Sequence, residues 1–111
     1  DVSLKKYPFA QMEIKALLAL QYCMLKDFEL FNQLSNSVQR QIRMLGKDDC
    51  ENVLLFLKIL KIAVSEAKKE KPKKISTLIP KFKSIAVNYF APTMLIKMDE
   101  TFIENLTALE V

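Results

Sequence analysis

With 111 residues, half of them hydrophobic and 27% charged, the chain can build one hydrophobic core but not two, and is too apolar to be disordered throughout. Its single glycine, Gly46, cannot form phosphate-cradling loops or dinucleotide-binding turns, and the absence of histidine removes the usual zinc sites and the Ser/His/Asp and Cys/His catalytic sets. The formal charge of +4 is modest, so its distribution along the chain says more than its total.

From Phe9 to Leu45 there is neither Gly nor Pro and good helix formers dominate, so a first helix is expected to begin near Pro8. Met12, Ile14, Ala16, Leu17, Leu18, Ala19, Leu20, Tyr22, Cys23, Met24 and Leu25 make it apolar nearly all round, which predicts burial on several sides. From Phe28 the pattern narrows to one stripe of Phe28, Phe31, Leu34, Val38, Ile42 and Leu45, with Glu29, Asn32, Gln33, Gln39, Arg40 and Arg43 outside it, as in an amphipathic helix. A break is expected near Asp27 or at Ser35, Asn36 and Ser37, whose side chains compete for backbone hydrogen bonds.

Gly46 reads as the residue that closes this helix, and Asp48 with Glu51 three residues on reads as a capping box for the next. That helix runs through Val53, Leu54, Leu55, Phe56, Leu57, Ile59, Leu60, Ile62, Ala63 and Val64, interrupted only by Lys58, Lys61, Ser65 and Lys68 along a narrow stripe, so it belongs at the centre of the molecule. The charges from Lys68 to Lys74 and the proline at 72 predict a helix end by Glu70 or Lys71 and a basic linker over about 68–75. Ser76 can then cap a short helix with Pro80 in its first turns and Phe82, Ile85, Ala86, Tyr89 and Phe90 inward, ending before Pro92. A last helix is expected from Asp99 or Thr101, through a Thr101/Glu104 capping box or an Asp99 cap stapled by Met98 and Ile103, turning Phe102, Ile103, Leu106 and Leu109 inward.

No segment alternates as a strand should, so the expected fold is all-α: residues 1–111 as a single compact bundle of about five helices around a nearly all-apolar central helix. The alternative is a fragment of a HEAT/ARM-like array of helical hairpins. Asp1 stands where an initiator methionine would, so the chain is expected to be part or product of something longer. The apolar run Ala16 to Leu25 is far too short to span a membrane.

Charge is strongly segregated: residues 1–67, 68–83 and 84–111 carry net charges of +1, +6 and −3. The basic patch consists of Lys68, Lys69, Lys71, Lys73, Lys74, Lys81 and Lys83. It reads as a solvated linker, a nuclear-import signal, or a nucleic-acid or phosphate-binding site. The run from Lys68 to Lys74 has neither Arg nor an interleaved aromatic, so any nucleic-acid contact there would be indifferent to sequence. Asp48, Asp49 and Glu51 suggest a divalent cation, but helix capping explains them more simply. Asn105, Leu106 and Thr107 match a glycosylation sequon inside a predicted helix, where chance is the simpler account. Cys23 and Cys50 sit in apolar stretches and read as buried reduced thiols, as in a cytoplasmic or nuclear protein; a single disulfide, implying an oxidising compartment, is the alternative.

The remaining excess is apolar: Tyr7, Phe9, Tyr89, Phe90, Met94, Leu95, Ile96 and Met98 exceed what one small core needs, and adaptable Met and aromatic surface suits partner-binding grooves. Together these features lead us to expect a non-enzymatic protein–protein interaction domain, an adaptor or scaffold in a larger intracellular assembly, with no cofactor or metal and a partner peptide or helix in a hydrophobic groove. The rival expectation is a nucleic-acid or phosphate-binding module acting through the lysines of residues 68–83.

Overall fold

Pro8 supplies a first position that needs no N–H donor, and from it a computed structural model, which describes residues 8–46 and 50–109, runs helix α1 (Pro8–Met24). It is followed by α2 (Phe28–Leu45), α3 (Glu51–Ser65), α4 (Lys71–Lys83), a 3₁₀ turn (Pro92–Leu95) and α5 (Glu100–Thr107). Among the described residues there is no strand, and the five α-helices pack as a bundle, as the sequence predicts.

The break between α1 and α2 falls at Asp27, the first of the two expected places. Lys26 takes a left-handed φ of 63°, its N–H donates to the Cys23 carbonyl at 3.1 Å and the Asp27 N–H donates to the Tyr22 carbonyl at 2.9 Å. This pair of bonds closes a helix against its own last turn. Asp27 then opens α2, its Oδ1 accepting from the Leu30 N–H at 3.2 Å. No break occurs at Ser35 to Ser37, because tertiary packing overrides their weak helix preference: Ser35 is buried in the α1–α2 contact, and Lys15 of α1 reaches Ser37 and Gln41 across it. α2 ends at Gly46, whose φ of 104° and ψ of 135° lie in a region other residues rarely enter; a Cβ there would meet nothing, so the restriction is in the backbone itself. The proposed capping pair of Asp48 with Glu51 involves residues 47–49, which lie outside the described residues.

α3 is central as expected. It packs against α1, α2, α4, α5 and the 3₁₀ turn, and Val53, Phe56, Leu57, Ile59, Leu60, Ala63 and Val64 are buried while Lys58, Lys61 and Ser65 face outward. Each buried aliphatic side chain there contributes roughly 1.5–3 kcal/mol over leaving it in water.

Two expectations between residues 66 and 91 are corrected. α3 ends at Ser65, and the predicted linker 68–75 is half helix: α4 already begins at Lys71, with Pro72 in its first turn. A proline opens a helix as readily as it stops one, and the burial register Lys71, Ile75, Leu78, Ile79 and Phe82 makes helix the better use of this segment. Ser76 is therefore in mid-helix and caps nothing. Pro80 lies near the end of α4, not at its start; it removes one donor and the helix stops at Lys83.

The helix expected to carry Ile85, Ala86, Tyr89 and Phe90 inward does not form. Residues 85–91 are irregular, with a bend at 88–89, and burial alternates: Ile85, Val87, Tyr89 and Ala91 turn inward while Ala86, Asn88 and Phe90 are exposed. Two β-branched residues and a proline at 92 favour this two-residue period. The result is a strap that crosses from the end of α4 to the 3₁₀ turn. α5 follows as predicted, capped by Asp99, whose Oδ1 accepts from the Phe102 N–H at 3.0 Å, with Phe102, Leu106 and Leu109 buried.

Candidate functional site

The alternation of the strap divides the apolar candidates. Met98 is buried in the core, Met94 and Ile96 are half-buried against it, and Phe9 stacks on Tyr89 with ring centroids 5.0 Å apart. Only Phe90, at 76% exposure, and Leu95, at 71%, present large apolar surface to solvent. Tyr7 lies outside the described residues. The seven described residues thus form no common groove; most of them fasten the strap and the chain after it to the bundle.

What holds the strap is a polar cluster that the sequence did not announce. Glu13 of α1 is 0% exposed, and three donors converge on its carboxyl group. Its Oε1 accepts from the Thr93 N–H at 2.8 Å; its Oε2 accepts from Asn52 Nδ2 at 2.7 Å and from the Tyr89 hydroxyl at 3.2 Å. Asn52 Nδ2 also lies 3.2 Å from Thr93 Oγ1, and the Tyr89 hydroxyl lies 3.2 Å from Asn52 Oδ1. Burial, reinforced by the negative charge of Glu13, pushes the Tyr89 phenol well above its ordinary value of 10.0, while the Asn52 hydrogen bond pulls the other way. One helix, the central helix and the strap are joined at this point. The polar atoms are spent on one another, so the cluster is suited to holding a backbone. A cleft of about 220 Å³ lies beside it, lined by Glu51, Asn52 and residues 85–89.

Cys23 and Cys50 are both buried, and no disulfide joins them. Cys50 Sγ lies 4.0 Å from Met12 Sδ. Burial pushes the Cys23 thiol up from 9.0 to about 11, partly opposed by the charge of Lys71, which keeps it a neutral core residue near pH 7. Among the described residues no three carboxylates or thiols converge on a point where a metal ion could sit, and no helix is long and apolar enough to cross a membrane.

The basic candidates also divide. Lys71, included above in the surface patch, is 2% exposed, and its Nζ donates to the Leu109 carbonyl at 2.5 Å, tying the start of α4 to the end of α5. Lys68, Lys69, Lys73, Lys74, Lys81 and Lys83 are exposed. Lys74 pairs with Glu66 at 2.8 Å across the α3–α4 turn, and that hydrogen bond raises its pKa. Between α3 and α4 the chain leaves an open groove of about 390 Å³, lined by Lys58, Ile62, Glu70, Lys73, Lys74, Thr77 and Leu78.

α1 departs furthest from expectation. Its all-round apolar character predicted burial on several sides, yet only Met12, Ala16, Ala19 and Cys23 form the sealed apolar seam, while Ile14, Leu18, Met24 and Leu25 are exposed, Leu25 by 75%. With Ala10 and Gln21 these make an outward arc at helical spacing, continuing into the turn at Leu25, that carries no charge. The two charged residues of α1 are used elsewhere: Glu13 is buried, and Lys15 donates to Gln41 Oε1 at 2.8 Å on α2. By contrast the outer face of α2 bears Glu29, Arg40 and Arg43.

Comparison with known proteins finds no matching family model, curated protein or solved structure.

Proposed function

We propose that this domain is a non-enzymatic protein-interaction module that docks a helix of a partner protein against the outer face of α1. The observation that carries the reading is the uncharged stripe of Ala10, Ile14, Leu18, Gln21 and Leu25, flanked by Met24. A helix face turned to solvent ordinarily carries charge, and a contiguous apolar strip along it marks a contact surface. Spacings of four, four, three and four residues are those by which one helix reads another. Exposed Phe90 and Leu95 on the strap are a further apolar contribution outside that stripe.

A photo-crosslinking residue replacing Gln21 tests this. The expected result is a discrete crosslinked partner from native extract, lost when L18E and L25E are introduced together and never formed from position 40 on α2. Because Leu18 and Leu25 are partly or largely exposed, the double variant should melt as the parent does. A crosslink that survives both glutamates, or none from the stripe at all, refutes the reading.

A further inference from the structure

We infer that the groove between α3 and α4 is a second binding site, specific for a short acidic peptide segment with an apolar anchor. It lies on different helices from the stripe of α1, so it stands apart from the function proposed above.

The helices flanking the groove run antiparallel: Glu66 meets Lys74 at one end and the Phe56 and Phe82 rings meet at 6.0 Å near the other. In that register Ile62 and Leu78 face each other across the groove, with Lys73 and Lys74 towards the turn and Lys58 a helical turn away from it. Ammonium groups therefore bracket an apolar floor. Glu70 is the one carboxylate of the lining, and Lys74 is already paired with Glu66. Lys58 and Lys73 make no ion pair among the described residues. Such a site is complementary to carboxylates placed on both sides of a leucine-like side chain.

The volume, about 390 Å³, is that of a small pocket and limits the buried portion to one or two side chains. A nucleic-acid backbone would use the lysines but leave Ile62 and Leu78 without a role, and the lining offers neither Arg nor an aromatic ring for base stacking.

The probe is a fluorescein-labelled peptide with two adjacent leucines flanked on each side by glutamates, titrated with the domain at low salt while the methyl signals of Ile62 and Leu78 are followed by NMR. Saturable binding that shifts both methyls is expected. K58E and K73E together should weaken it about tenfold, as expected for reversing two exposed charge contacts, with thermal melting unchanged because both lysines are exposed. Replacing the peptide glutamates by glutamine, or its leucines by alanine, should each weaken binding. Equal binding of either analogue overturns the inference, as does no methyl shift at saturating peptide. Equal displacement of the methyls by a single-stranded oligonucleotide also overturns it, in favour of a general polyanion site.

Discussion

Replacing Glu13 by alanine should release the strap without unfolding the bundle. Glu13 is fully buried and receives three donors, but the three do not depend on it equally. Asn52 Nδ2 keeps Thr93 Oγ1, and the Tyr89 hydroxyl keeps Asn52 Oδ1. The Thr93 N–H, whose one acceptor among the described residues is Glu13 Oε1, is left buried without a partner. An orphaned buried donor costs about 1–3 kcal/mol. The cavity left by the missing side chain adds to this, and relief from burying a carboxyl group subtracts from it, so a net loss of about 2–3 kcal/mol is expected. A domain of this size holds roughly 5–15 kcal/mol in all, so E13A should still fold. Urea denaturation gives the loss, and amide exchange gives its place: the Thr93 amide should lose protection far more than the amides of Leu57 or Leu60 in α3. E13Q keeps the volume and one acceptor oxygen and should lose less. If E13A stays within about 0.5 kcal/mol of the parent, a difference typical of unconnected surface changes, or if the Thr93 amide remains protected, the clasp is not what fastens the strap.

Two further outcomes follow from local geometry. The thiol of Cys23 is held at about 11 in the fold against 9.0 as its ordinary value, so the unfolded chain ionises first; this contribution to stability is complete below pH 9.0 and is lost as pH rises through about 11. Urea midpoints measured across that range should fall less steeply in C23A than in the parent, and parallel profiles would show that the thiol is not protected by burial. Lys26, exposed and left-handed at φ 63°, gives up roughly 1–2 kcal/mol of backbone strain when replaced by glycine. Glycine returns about 0.5–1 kcal/mol of that as unfolded-state entropy, so K26G should raise stability by about 0.5 kcal/mol at an unchanged denaturant slope. A decrease would mean that the Schellman-type closure of α1 is not formed there.

The helices were legible where one physical rule acted alone. The centrality of α3 follows from its composition, since a helix with only Lys58, Lys61 and Ser65 outward after its first residue must be surrounded. Asp99 was legible as a cap because the donor it satisfies, the Phe102 N–H, lies three residues on in its own helix. Sequence signals mislead where one residue type serves opposite ends of a helix. Pro72, whose sequence context predicts an end to α3, instead opens α4, and the lysines beside it suggest solvent although Lys71 is buried. A lysine can be buried if its Nζ meets a carbonyl, here that of Leu109, and the sequence gives no notice of a partner 38 positions away.

The same limit governs the candidate sites. Glu13 lies 39 residues from Asn52, 76 from Tyr89 and 80 from Thr93, so no spacing rule connects them, and the only local sign was a lone acid in an apolar helix. That sign points to a buried partner as much as to an exposed edge. The stripe of α1 was hidden for the opposite reason. A helix apolar all round is satisfied by enclosure in its own domain or by an external partner, and hydropathy does not distinguish the two. Packing does. Beyond Met12, the buried seam of α1 uses small residues, Ala16, Ala19 and Cys23, along which α2 and α3 can approach closely. The large residues Ile14, Leu18 and Leu25 are turned out. If α1 needed only to fill this core, its large side chains would gain most by facing inward, at roughly 25 cal/mol per Å² removed from water. Their outward placement forgoes that gain within the isolated domain, and the helix partner proposed above is what would restore it.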